Sequence, residues 1–263
     1  MTTIQDLKEK KLKQQKITAL TAYDFSISEV LNEVGIDLIL VGDSLGMVVL
    51  GLDSTIPVTI DDMIRHTQAV ARGATKSLII TDLPFGSYHT SIEQAVENAV
   101  RCIRAGANGV KVEGASPFVL SVVKRLNELG ILVVGHIGFT PQKINQIGRP
   151  KVQGKNKERS IQLVQEGLSL QEVGADLLVL ELMPQELAKA ISQKLDIPTI
   201  GIGSGKFCDG QILVVNDVLG LYSKFTPKFV KKYAHLSTDI SKAVTNYKED
   251  VISGEFPEES HSF

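Results

Sequence analysis

The stretch ILVGDSLGMVVLG, residues 39–51, begins like a buried strand and then stops on an acid. Ile39, Leu40 and Val41 run without polar alternation, as in a parallel strand covered on both faces. Asp43 and Ser44 follow at once. A carboxylate at the end of a buried strand is costly unless something pairs with it. The pattern recurs: Asp82 follows SLIIT, Glu113 follows GVKV and Glu181 follows DLLVL. Working outward, eight apolar runs stand out, at residues 17–24, 36–43, 77–85, 108–114, 131–138, 175–183, 197–204 and 210–217. Helical patterns lie between them. Residues 91–105 place Ile92, Ala95, Val96, Ala99, Val100 and Ile103 on one stripe, with Ser91 and Gln94 spaced as a capping box. Ser116 before Pro117 is the favoured start of another helix. Eight β/α alternations in a chain of 263 residues predict an α/β fold, a (β/α)8 TIM barrel. One domain over residues 1–263 is expected, with an extra N-terminal helical segment near residues 3–14. A doubly wound open sheet is the alternative, because periodicity counts strands poorly.

Composition narrows the setting. The chain is 43% hydrophobic and 22% charged with a formal charge of -2, which gives no electrostatic footprint for nucleic acid. KEKKLKQQK (residues 8–16) and KFVKKY (residues 228–233) are short enough to be solvated helix faces. No apolar secretory core opens the chain and no run reaches the ~18 apolar residues of a membrane span, so a cytoplasmic protein is expected. Cys102 and Cys208 lack metal-ligand spacing and are expected to be reduced, structural thiols. GIGSGKF, residues 201–207, fails as a phosphate loop: Phe207 stands where Ser or Thr belongs and Ile200 where the first Gly belongs.

In a barrel the C-terminal strand ends share one face, where active sites are built. Asp43, Asp82, Glu113 and Glu181 fall there, with His136 and Lys111 in the same layer. Alone, an acid after a strand is most often a helix N-cap. Several acids on one face are another matter, since like charges raise one another's pKa unless a cation joins them. Carboxylates without a Cys or His cluster suit a hard ion such as Mg2+, and Asp43 would pair with it. Lys111 alternates with Val110 and Val112 and shares the inward side with Glu113. His136 reads equally well as a core imidazole or a site residue.

TAYD, VGDSLGMVVLG, TDLPFGSY, VKVEG, GHIGFTPQ, VQGK, LELMP, IGIGSG, CDGQILVVNDVLGL and FVKKY, in that order, resemble the 3-methyl-2-oxobutanoate (ketopantoate) hydroxymethyltransferases. The resemblance implies a Mg2+-dependent (β/α)8 barrel that uses 5,10-methylenetetrahydrofolate to convert 3-methyl-2-oxobutanoate to 2-dehydropantoate. It implies homo-oligomers, commonly decamers. Carried over motif by motif, the metal residues fall on Asp43, Asp82 and Glu113, the proton acceptor on Glu181, and substrate contacts on Asp43, Ser44, Asp82 and Lys111, with His136 near the substrate.

Residue chemistry agrees with that mapping. A 2-oxo acid offers two oxygens to a metal that polarises its carbonyl, so a carboxylate such as Glu181 can remove the C3 proton. Lys111 would meet the substrate carboxylate. GHIGFTPQKINQIGRPKVQGKNKER, residues 135–159, is expected to be a long polar loop suited to closure or folate contact. It departs from the family at Gly148, Arg149 and Pro150. The residues 219–236, LGLYSKFTPKFVKKYAHL, offer surface for subunit packing. Two rivals stand beside it: a Mg2+-dependent lyase or mutase barrel acting on 2-oxo acids or phosphoenolpyruvate, which would use similar acids, and a non-catalytic metal- or metabolite-binding barrel.

Overall fold

A computed structural model of the chain describes residues 1–222 and 226–263. It comprises two compact units, Met1–Val214 and Val215–Phe263. The first holds the strands β1 (Ile17–Thr21), β2 (Leu38–Val41), β3 (Leu78–Asp82), β4 (Gly109–Glu113), β5 (Leu132–Gly138), β6 (Leu177–Glu181), β7 (Thr199–Ile202) and β8 (Gly210–Leu213). Its helices are α1 (Ile4–Leu12), α2 (Phe25–Val34), α3 (Leu45–Val48), α4 (Ile60–Gly73), α5 (Ile92–Arg104), α6 (Pro117–Glu128), α7 (Ile144–Ile147), α8 (Lys157–Glu172) and α9 (Gln185–Lys194). The second unit holds α10 (Val215–Val218) and α11 (Leu236–Ser253). Each of the eight apolar runs contains one strand. All pair in parallel and in sequence order, and β8 closes back on β1. The TIM barrel is therefore observed, and the open sheet is not.

Alternation along each strand sorts the core into two layers. Ile17, Ala19, Leu38, Leu40, Leu78, Ile80, Val134, Leu177, Val179, Ile200 and Ile212 form one buried cluster. Residues between them, such as Val110, Val112, Val133, Ile137, Leu178 and Leu180, join the cluster shared with the surrounding helices. Side chains two apart in a strand share a face, so the interior series continues past its apolar part to Asp82, Lys111, Glu113, His136 and Glu181. The barrel is thus apolar below and ionisable at its C-terminal mouth.

Helix α1 is the extra N-terminal segment, and its position departs from a solvated face. Leu7 is fully buried in the interior cluster. Lys10 pairs with Asp37 at 2.5 Å, Lys11 with Asp209 at 2.8 Å and Lys8 with Asp176 at 3.7 Å. These aspartates immediately precede β2, β8 and β6, so the lysine-rich stretch fastens α1 beneath the barrel. Residues 228–233 depart differently: they are not helical. Ser91 caps α5 by accepting the Gln94 N–H at 3.1 Å, but the box is not reciprocal. Gln94 Oε1 instead accepts the Thr90 hydroxyl. Ser116 and Pro117 do start α6. Cys102 and Cys208 are buried free thiols. The 135–159 stretch is more ordered than a plain loop, with a 3-10 turn at Pro141–Lys143 running into α7. Of the stretch 219–236, residues 223–225 lie outside the described residues. No described helix is long and apolar enough to cross a membrane.

Candidate active site

Strand register assembles the site. Asp82 ends β3 beside Lys111 of β4, and Glu113 ends β4 beside His136 of β5. Glu181 ends β6 opposite Gly138 of β5. Asp43 lies two residues beyond β2, where its N–H donates to Asp82 Oδ2 at 3.0 Å. Together with Ser44 these residues line a cavity of about 130 Å³ at the barrel mouth, walled on its apolar side by Leu40, Val179, Ile202 and Ile212. All seven predicted site residues therefore face one space.

The charges are buried and interlocked. Lys111 Nζ stands 2.7 Å from Asp82 Oδ1 and 3.9 Å from Glu113 Oε1, with its side chain 5% exposed. Burial works against its charge, but Asp82, Glu113 and Asp43 outweigh burial and hold the ammonium protonated, its pKa raised. The Lys111–Asp82 contact is close without being aligned as a hydrogen bond, which leaves Asp82 Oδ1 buried and unsatisfied in that sense. His136 Nδ1 is 3.6 Å from Glu113 Oε1 and 3.3 Å from Lys111 Nζ, and His136 Nε2 is 3.1 Å from Glu181 Oε2. Burial and Lys111 disfavour its charge, yet the two glutamates prevail and raise its pKa to about 9. His136 thus stands between Glu113 and Glu181 and lines the cavity.

Asp43 is the acid under most stress. Burial, then the charges of Asp82 and Glu113, push its carboxyl well above the usual carboxylate range, against the pull of Lys111 and a hydrogen bond from Gln142. Burial also raises Asp82, despite Lys111. Glu113 is lowered: burial opposes its charge, but His136, Lys111 and the Gln142 N–H overcome it. Four acids face two cations, so without a further positive charge a proton on Asp43 is the relief available.

A divalent cation would supply that charge instead. The donors are hard carboxylate oxygens, Asp43 and Asp82 are desolvated and adjacent, and Asp82 Oδ1 is buried without an aligned hydrogen bond, which fits an ion such as Mg2+ that binds one or two carboxylates and keeps waters. Among the described residues, no group of three His, Cys, Asp or Glu side chains is gathered to hold one ion as they stand. Glu113 Oε2 already accepts the Gln142 N–H at 3.1 Å.

Residues that sequence reading missed complete the site. Gln142 and Tyr88 are 3% and 0% exposed and reach Asp43 and Glu113 directly. Burial, then the charge of Glu113, raises the Tyr88 phenol well above its ordinary pKa, so it stays a proton donor. The Tyr23 hydroxyl lies 2.8 Å from Ser44 Oγ. TDLPFGSY and GHIGFTPQ contained Tyr88 and Gln142, but no periodicity points a loop residue at a partner far along the chain.

The chain is similar to proteins of known activity. A curated 3-methyl-2-oxobutanoate hydroxymethyltransferase of Syntrophus aciditrophicus (strain SB) is 54% identical over 254 residues, covering 96% of this chain and 93% of that protein. Another, from Syntrophomonas wolfei, is 49% identical over 262 residues, covering 99% and 95%. Among solved structures, a phosphonopyruvate hydrolase complexed with oxalate and Mg++ superposes with a TM-score of 0.64 at 11% identity, covering 99% of this chain and 93% of the other. A 2,3-dimethylmalate lyase of the PEP mutase/isocitrate lyase superfamily superposes at 0.61 with 13% identity, covering 100% and 92%. At those identities the lyase-type barrels share the fold alone. The family model for ketopantoate hydroxymethyltransferase matches residues 1–259, and with half the residues shared over nearly the full length of its relatives the chain belongs to the ketopantoate hydroxymethyltransferase family.

Proposed function

We infer that this chain transfers a hydroxymethyl group from 5,10-methylenetetrahydrofolate to 3-methyl-2-oxobutanoate, forming 2-dehydropantoate. The observation that carries the reading is the buried set of Asp43, Asp82, Lys111, Glu113, His136 and Glu181 on one barrel mouth in a chain about half identical to curated enzymes of that name. The lyase or mutase reading rests on fold alone, and a non-catalytic barrel would have no use for so costly a cluster.

The roles follow from placement. Asp43 and Asp82 would hold the Mg2+, with Glu113 as the third acid of the set. Mg2+, when bound, supplies Lewis-acid polarisation of the 2-oxo group. Lys111, held between Asp82 and Glu113, presents a fixed positive charge to the substrate carboxylate, and Ser44 offers a hydroxyl steadied by Tyr23. Glu181 is the base for the C3 proton. His136 Nε2 stands 3.1 Å from one Glu181 oxygen, Oε2, close without being aligned as a hydrogen bond, and would steer the carboxylate through charge. The apolar wall of Val179, Ile202 and Ile212 suits the branched alkyl end of the substrate and excludes water from the carbon nucleophile. Once the C3 proton is lost, C3 bonds to the folate methylene carbon as one of that carbon's two C–N bonds breaks. Water then replaces the remaining folate nitrogen, giving the hydroxymethyl group and free tetrahydrofolate, whose nitrogens take up the two protons.

The deciding experiment supplies purified protein, Mg2+ and 3-methyl-2-oxobutanoate with or without 5,10-methylenetetrahydrofolate and measures 2-dehydropantoate. Product should form only with the folate present. Cleavage of the 2-oxo acid, or binding without turnover, would reject the transferase in favour of one of its rivals.

A further inference from the structure

Gln142 sits in the 3-10 turn after β5, with Lys143 and Gln146 exposed nearby. Its backbone N–H donates to Glu113 Oε2 at 3.1 Å. Its Nε2 donates to Asp43 Oδ2 at 2.9 Å and to the Leu83 carbonyl at 3.0 Å. Its Oε1 accepts the Tyr88 hydroxyl at 3.0 Å, and that hydroxyl accepts the Glu113 N–H at 3.0 Å. The direction of every bond is forced. A carbonyl and a carboxylate only accept, so the NH2 group must face Leu83 and Asp43. Tyr88 takes the Glu113 N–H on its oxygen and therefore gives its own proton to Oε1.

We propose that Gln142 is a positioning residue of the reaction, which sets Asp43 and Glu113 relative to each other and makes their placement depend on the loop after β5, with Tyr88 fixing its amide. The inference rests on reading Asp43 and Glu113 as working acids. Among the described residues, the Gln142 amide is the sole hydrogen-bond donor to the Asp43 carboxylate. One residue thus spans acids that come from the ends of two strands, β2 and β4. Any loop conformation that withdraws Gln142 removes a donor from both acids together. Seating the loop and completing the acid pair are then a single event.

The test uses Gln142→Met, which keeps the length and removes the amide, and Tyr88→Phe, which removes only the hydroxyl. Two rates are read: kcat for the full reaction, and donor-free exchange of the C3 proton of 3-methyl-2-oxobutanoate for deuterium, followed by NMR with Mg2+ present. Outer partners of site carboxylates are worth about 10–100-fold, and both rates should fall by about that factor in Gln142→Met. Tyr88→Phe should lower both by a smaller factor, and the double variant should be no slower than Gln142→Met alone. A purely structural role would lower Tm and leave exchange per folded molecule unchanged. Exchange within about twofold of the unaltered enzyme in Gln142→Met would overturn the proposal. Should that variant fail to fold, Tyr88→Phe decides on the same criterion. Independent, multiplicative losses in the double variant would also overturn it. Asp43→Asn separates the two layers of argument: if it is inactive while Gln142→Met is normal, the positioning role alone falls, and if Asp43→Asn exchanges normally, the acid assignment itself falls.

Discussion

Glu181 and Lys111 both face the cavity, yet the geometry asks different things of them. Glu181 meets His136 through one oxygen and has the other for a proton, so Glu181→Gln should slow donor-free C3 exchange by ~10²-fold or more, the usual share of a positioned base. Lys111 is already a fixed charge between two acids, and the contact proposed for it with the substrate carboxylate would exist before and during reaction. Lys111→Ala should therefore raise KM before it lowers kcat, as steady-state kinetics would reveal. An unchanged KM would remove it from substrate binding. Asp82→Asn should lose most activity with its fold intact, and chelation of the unaltered protein should abolish turnover that Mg2+ restores. Full turnover in metal-free buffer would sink the metal assignment. Gly138 is constrained by its neighbour: at φ +100°, a Cβ there would sit 2.2 Å from the Glu181 carbonyl oxygen. Gly138→Ala should cost about 1 kcal/mol or more, measured by denaturant melts, and should lower kcat by shifting the strand end that carries Glu181, the proposed base.

Helix α1 works at the opposite end of the barrel, so its contribution separates from chemistry. Leu7 is fully buried, and Leu7→Ala should cost about 2–5 kcal/mol while leaving kcat per folded molecule intact. Beside it, Asp37 accepts the Thr18 N–H and hydroxyl at 2.9 Å each as well as the Lys10 ammonium. Burial raises its pKa, but these three partners prevail and hold it below the usual carboxylate value. A folded pKa below the unfolded one means that the unfolded chain binds more protons. The stability supplied by Asp37 is complete above its unfolded pKa of about 3.9, and is lost as pH falls through the lower folded value. Asp37→Asn should accordingly be less stable than the unaltered chain near pH 7, and the two should converge in acid. A constant gap between their urea midpoints down to pH 2 would contradict the pairing. The lysine-rich run showed its helix in sequence but not its partners, because three aspartates ahead of β2, β6 and β8 meet α1 only once the barrel has closed.

At the scale of the molecule, the 18-residue helix α11 has no buried residue, although Ile240, Val244, Tyr247 and Val251 repeat at helical spacing and are each 46–59% exposed. Exposed apolar stripes of this kind mark contact surfaces, and we propose that this one contributes to the homo-oligomer, commonly a decamer, that the family resemblance implies. Sedimentation should show a species far larger than 28.6 kDa, and charging the stripe by Val244→Asp with Tyr247→Asp should dissociate it. A monomer at micromolar concentration would refute the assembly.

Strand alternation is a local property of the backbone, and it alone told which side chains would face inward. Lys111, Glu113 and Glu181 were legible for that reason, as were eight strands and the barrel they imply. Asp43 and Asp82 were legible as acids that a buried strand end would not tolerate unpaired. What paired with them was not: the Asp43 partner is 99 residues away on a loop, and Lys11 finds Asp209 across 198. Contacts of that separation follow from closure of the barrel and the seating of one loop, and no periodicity within a strand or helix contains them. The sequence determined the inward residues and therefore the chemistry on offer, whereas tertiary structure decided which acids crowd Asp43, which two lie against His136, and which two are tied together by Gln142.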